Sequence, residues 1–208
     1  MDLFRHNDEL RGHLQQHLAA FRRHEIPRDR RRPATVAVTV CRDESRAAII
    51  VTRRSASLRA HSRQWALPGG RRDPGETAVM AGLRELHEEV GLQAGSGDVM
   101  GVLDDYATRS GYVITPVVVW SDCDWRDLSP NPEEVDIVRP FRFKDLARKD
   151  SPILQTIEES DRQVLSMHFQ DDAIYAPTGA MLYQFREVAL FGRQTRVAHF
   201  EQPTFAWR

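Results

Sequence analysis

In RELHEEVGL, residues 84–92, the glutamates Glu85, Glu88 and Glu89 fall at i, i+3 and i+4, so a helix would project all three from one face. Like charges at that spacing repel. The crowding makes sense if something outside the chain neutralises it, or if the helix is a solvated face. Three clustered carboxylates form a hard-oxygen site, suited to Mg²⁺ or Mn²⁺ rather than zinc. Magnesium keeps waters and favours a few carboxylates plus substrate phosphates, which points to a phosphate ester or anhydride as substrate. Just upstream, Pro68-Gly69-Gly70 reads as a tight turn whose carbonyls could also reach a metal. Arg84 can hold a carboxylate bidentately and fix the geometry. Glu76, expected at the helix start, suits the positive end of the helix dipole.

Gly70, five residues, Glu76, seven residues, then Arg84 to Leu92 resembles the Nudix box without a mismatch. Seven fixed residues and two apolar positions would coincide by chance with a probability of ~10⁻⁷ at average residue usage. The resemblance implies a loop–helix–loop that binds Mg²⁺ or Mn²⁺ and hydrolyses a nucleoside diphosphate linked to another group. It assigns metal binding to Glu85, Glu88 and Glu89, joined by the backbone carbonyl of Gly70, with Arg84 beside them. The chemistry is coherent, since metals screen a diphosphate, polarise its phosphorus and lower the pKa of an attacking water. The motif leaves the general base open between Glu88 and Glu133 or Glu134 on a later loop.

Residues 50–70, IVTRRSASLRAHSRQWALPGG, resemble the additional motif of the coenzyme A pyrophosphatase branch at Val51, Thr52, Arg54, Ser55, Arg59, Pro68, Gly69 and Gly70. Arg63 stands where that motif has glycine, and Leu67 where it has phenylalanine. The similarity runs over about residues 36–145 and continues more weakly through 178–185. It implies a small, nucleotide-type substrate gripped by Arg54 and Arg59, whose planar forks suit phosphate, with His61 and Arg63 on the substrate side. Arg63 could instead fill space meant for the pantetheine arm. A homodimer is a family-level expectation.

These residues need a scaffold. TVAVTVCR (35–42) and AAIIVTRR (47–54) read as a β-hairpin around DESR. The acidic helix should run from about Glu76 to Val90 and stop at Gly91, which tolerates the left-handed conformation. Two strands are expected around Thr108–Gly111, another over 135–143, and a helical piece in KDLARKD. Residues 152–167 read as connecting helix or loop, and 178–190 as a helix capped by Thr178. Before all this, Leu10, Leu14, Leu18 and Phe21 have helical spacing after the candidate cap Asn7, and 26–33 forms a basic, proline-bearing linker. The resemblance implies an α/β fold: a Nudix-type α/β/α sandwich with a mixed sheet over 34–208, and residues 1–33 as a helix and linker packed on it.

Composition narrows the partners. With 29 basic and 30 acidic residues and a net charge of -1, no bulk field favours nucleic acid or membrane. No apolar run approaches the ~20 residues of a membrane span, and the polar, acid-containing start does not read as a signal peptide. Cys41 and Cys123 give no disulfide framework, so a cytoplasmic setting is expected. His13 and His17 have metal-ligand spacing but no visible partner ligands, and read as a surface helix. His87 reads as solvated and Cys41 as core. The C-terminal Phe200, Phe205 and Trp207 either pack on the domain or cap the substrate pocket.

Overall fold

The spacing of Leu10, Leu14 and Leu18 does form a helix, α1 (Asp8–Ala20), in the computed structural model, which describes residues 1–27, 29–55 and 64–207. The Asn7 side chain accepts the Leu10 N–H at 2.9 Å, supplying one of the bonds that a helix start lacks. After the linker the chain enters β1 (Arg32–Asp43), which begins at Arg32 rather than Thr35. It pairs antiparallel with β2 (Arg46–Arg54), closing the expected hairpin at Asp43 and Arg46. Two short strands, β3 (Trp65–Ala66) and β4 (Gly69–Arg71), lead into helix α2 (Ala78–Val90). Then come β5 (Val99–Val102), β6 (Tyr106–Ala107), β7 (Tyr112–Asp124), β8 (Val135–Arg142) and a single helical turn, α3 (Phe143–Leu146).

The main sheet has the order β3-β2-β1-β7-β5, with β4 on β1, β6 on β7 and β8 on β2. It is mixed because β1 and β7 run parallel while the other pairs are antiparallel. Side chains alternate between its faces, as strand geometry requires. Val38, Val40, Ile49, Val51, Val118 and Trp120 join one core with the α1 leucines. Ala37, Cys41, Ala48, Ile50, Val117 and Val119 join the other, with Leu86 and Val90 of α2. Both faces are therefore covered by helix, which gives the sandwich its three layers. Cys41 is wholly buried, and burial pushes its thiol up and out of reach of ionisation.

One segment departs from its expected form. Residues 152–167 carry no helix; they form β9 (Ile153–Ile157) and most of β10 (Ser160–Phe169), which with β11 (Asp172–Tyr175) make a second, three-stranded sheet. The apolar residues here are β-branched or aliphatic around the polar turn at Glu158-Glu159. Burial of Val164 to Met167 against the first core decides the outcome. Residues 178–190 are helical as expected, as α4 (Thr178–Phe185) followed by a π-helical turn, Arg186–Leu190. Thr178 is not its cap: Pro177 holds that position, with no side-chain capping bond. The histidine pair of α1 meets this turn, His13 Nε2 against the Leu190 carbonyl and His17 Nδ1 against that of Ala189, each at 2.9 Å. Their spacing serves helix docking. Among the described residues no helix is long and apolar enough to cross a membrane.

Candidate functional site

Helix α2 is bounded as its sequence dictates. The Thr77 hydroxyl accepts the Met80 N–H at 3.1 Å, and Gly91 closes the helix in the left-handed region at φ 71°, where a side chain would be strained. Glu76 therefore lies one residue before the cap, outside the helix. Its carboxylate accepts the Asp73 N–H and both Nε and Nη2 of Arg84, and those bonds hold it at about 2. Glu76 thus anchors the loop and Arg84 rather than the helix dipole.

Arg84 uses all five of its donors. Besides the fork on Glu76, Nη1 reaches Glu85 and Glu88, each at 2.8 Å, and Nη2 reaches the Arg71 carbonyl at 3.1 Å. A guanidinium has five N–H groups, so none is left for a ligand in this arrangement. Arg84 joins loop, strand and helix into one rigid unit.

A cavity of about 470 Å³ opens beside this unit. Gly70, Glu85, Glu89, Arg54 and Glu134 all line it, drawn from β4, α2, β2 and the loop before β8. A Cβ at Gly70 would meet the Glu85 carboxylate, so any side chain there would displace that carboxylate from the cavity wall. Glu134 is set by the end of α2. The Glu89 carbonyl accepts the Asn131 N–H at 2.9 Å, and the Glu134 carbonyl accepts the Ser55 N–H at 2.9 Å. Its neighbour Glu133 is exposed, with its N–H on the Asn131 side chain, and does not line the cavity. The chain geometry separates these two adjacent glutamates.

Among the described residues lining the cavity, Glu85, Glu89 and Glu134 outnumber Arg54 and Arg71. Glu89 is 5% exposed; burial pushes its carboxyl up to about 8, Glu85 and Glu134 add to the rise, and Arg54 and the Gly69 backbone oppose it. Glu85 is also raised, by burial first and then by Glu88 and Glu134, against the pull of Arg84. Crowded, partly desolvated carboxylates of this kind suit a hard divalent cation, as does the approach of the Gly70 backbone to Glu85. Even so, among the described residues no three acidic, histidine or cysteine side chains are gathered closely enough to hold a metal ion. The expected ligand set is only partly assembled: Glu85 and Glu89 face the cavity with Gly70, while Glu88 is exposed and turned onto Arg84.

Of the expected substrate-side residues, Arg54 lines the cavity. Arg59, His61 and Arg63 lie outside the described residues. Other walls were not foreseen: Trp65 of β3, Arg71 of β4, Tyr112 of β7, Met181 of α4 and Gln202 of the C-terminal segment. Arg71 follows the double glycine directly and was open to inference. Met181 and Gln202 are brought in by packing across the whole chain, which no local pattern announces. His87 is exposed, as expected.

The family model for the NUDIX domain matches residues 30–164. That is more than half of the chain, and the chain belongs to this family. Among curated relatives, Nudix hydrolase 3 of Caenorhabditis elegans is 32% identical over 118 residues, 55% of this chain and 49% of that protein. The uncharacterised Nudix hydrolase NudL of Yersinia pestis (strain Pestoides F) is 38% identical over 96 residues, 46% of this chain and 47% of that one. The chain thus spans about half the length of the curated relatives it matches. Among solved structures, the Nudix hydrolase RenU of M. smegmatis is 24% identical with a TM-score of 0.45, covering 56% of this chain and 74% of that one. A MutT/nudix family protein of Enterococcus faecalis is 16% identical with a TM-score of 0.48, covering 73% and 54%.

Proposed function

We propose that this cavity hydrolyses the diphosphate linkage of a nucleoside diphosphate derivative, with coenzyme A or an acyl derivative as substrate. The products are then 4′-phosphopantetheine and adenosine 3′,5′-bisphosphate. The observation that carries the reading is the gathering of Glu85, Glu89, Glu134 and Arg54 around Gly70 in one cavity, with two of the carboxyls raised. Glu85, Glu89 and the Gly70 carbonyl, with Glu88 turned in from Arg84, would hold Mg²⁺ or Mn²⁺, which when bound would supply screening of the diphosphate and a lowered pKa for a water. Glu134 takes the proton of the attacking water, being the carboxylate of its loop that faces the cavity. Arg54 binds a phosphate oxygen. Arg84 touches no reacting atom; it positions Glu85 and Glu88. A cytoplasmic setting and a homodimer belong to the same reading.

A second reading has one observation in its favour. Leu67, buried and lining the cavity, stands where the coenzyme A motif has phenylalanine. It leaves the wall smaller, which suits ADP-ribose, a dinucleotide or a damaged nucleotide instead. The deciding experiment incubates the protein with Mg²⁺ and a panel of coenzyme A, ADP-ribose, NADH, diadenosine polyphosphates and oxidised nucleotides. Turnover of coenzyme A above the rest is the expected result. Turnover of ADP-ribose with none of coenzyme A overturns the first reading. Tight binding without turnover of any member would make the protein a ligand sensor.

A further inference from the structure

The segment Trp65 to Arg71 forms one wall of the cavity, with Gly69 and Gly70 lying against Glu89 and Glu85. Its two ends differ in chemistry. At one end Arg71 donates from Nε to the Tyr112 hydroxyl at 3.1 Å, and its guanidinium lies 5.6 Å from that ring. Arg32 covers the same ring at 4.1 Å. Both arginines are exposed, and neither is paired with a carboxylate among the described residues. At the other end, Trp65 and Gln64 are shared with a second cavity of about 280 Å³, as are Pro177 and Thr178. That chamber is walled by Tyr175 and by Phe205, which is 53% exposed. None of its described lining residues is a cation, and Asp172 adds a negative charge. Tyr175 and Phe205 pack edge to face, centroids 5.6 Å apart and planes at 88°, so they leave no parallel slot between them for a flat base.

We propose that this asymmetry fixes the direction in which a two-armed diphosphate lies. The nucleotide arm, with any additional phosphate, lies on Arg32, Tyr112 and Arg71. The uncharged, amide-bearing arm enters the chamber of Trp65, Tyr175 and Phe205. An extra phosphate is attracted to the paired arginines and repelled by Asp172, so reversal of the substrate is disfavoured at both ends. Apart from Gln64 and Trp65, the described lining of the chamber comes from residues beyond 164, past the stretch matched by the family model, so this selectivity draws on the chain's C-terminal elements. The inference rests on the coenzyme A reading.

The test is a cross of substrates against variants: kcat/KM for coenzyme A, dephospho-coenzyme A (which lacks the 3′-phosphate) and ADP-ribose, in Arg71→Ala, Arg32→Ala and Phe205→Ala. The arginine variants should lower the preference for coenzyme A over dephospho-coenzyme A by about tenfold, the worth of one charged hydrogen bond. Phe205→Ala should leave that ratio unchanged and lower the preference for coenzyme A over ADP-ribose. Equal losses on all three substrates, or no change in either ratio, overturn the proposal. If the wild-type protein turns over no coenzyme A, the functional reading fails. The chamber is then decided by saturation-transfer NMR of pantetheine on metal-free protein: a signal lost in Phe205→Ala keeps it, and no signal in the wild type removes it.

Discussion

Glu89 and Glu201 are both almost wholly buried, at 5% and 1% exposure, yet they titrate at opposite extremes. Glu89 is pushed up to about 8. Glu201 is held at about 2, because bonds from Arg109, the Gln202 N–H and Ser160 outweigh its burial. Other buried acids are also matched with donors. Asp104 and Asp105, also buried, accept from Arg196, Gln184, Arg23, Thr115 and the backbone of the linker, and they pin that linker to the sheet. Glu187 is held between Arg186 and Arg193. A chain rich in arginine thus neutralises its structural acids from within. Around Gly70 it leaves carboxylates crowded, and that crowding separates the acids proposed to take a cation from acids that complete the fold.

The largest effect should come from neutralising the crowded acids. Glu85→Gln or Glu89→Gln is expected to lower kcat by about 10²–10⁴-fold, the range for a group working at the reacting atoms. The metal-free thermal midpoint should stay level or rise, since burial of a charge is relieved. Full activity in both variants would end the distinction between the two kinds of buried acid. Arg109→Ala should do the reverse, lowering the denaturant midpoint of unfolding because it strips a buried carboxylate of its cation. The same pair sets an acid limit. The carboxyl of Glu201 is at about 2 in the fold against 4.5 unfolded, so the unfolded chain binds more protons between those values. Its contribution is complete above pH 4.5 and is lost as the pH falls toward 2, amounting to roughly 3 kcal/mol. Unfolding curves across that range should diverge between wild type and Glu201→Gln; parallel curves would show that the clasp is not what resists acid.

How far each acid's role was legible in the sequence follows from how local its partners are. Gly70, Glu76, Arg84, Glu85 and Glu89 sit within one loop and helix, so their spacing carried the motif and the arginine that joins them. The hairpin of β1 and β2 and helix α1 were legible for the same reason, through side-chain periodicity. Glu201 was not, because Arg109 and Ser160 meet it only after the second sheet folds, and that sheet was read as helix or loop. The order within the pair Glu133-Glu134 was equally hidden, since it depends on how Asn131 satisfies the end of α2. Glu88 differs from both. Motif and helix face place it with Glu85 and Glu89, but at the exposed edge of α2 it is held by Arg84, away from the cavity.

A cation should sharpen the contrast by acting on one set only. At 100 times its Kd, Mg²⁺ is expected to stabilise the wild type by about 2.7 kcal/mol in thermal unfolding. Arg109→Ala should keep that gain in full and Glu89→Gln should lose it. A gain surviving in Glu89→Gln would place the cation elsewhere.

The smallest expected effect falls on Glu133. It differs from Glu134 by one position and lies outside the cavity, exposed, with its backbone N–H engaged by Asn131. Glu133→Gln removes a solvated charge, so kcat should change by less than about twofold, as surface substitutions away from such features do. Glu134→Gln, by contrast, removes the carboxylate assigned to the attacking water and should flatten the acid limb of the pH–rate profile. If the two variants behaved alike, facing the cavity would not be what makes an acid of this chain functional, and the division drawn between Glu89 and Glu201 would lose its basis.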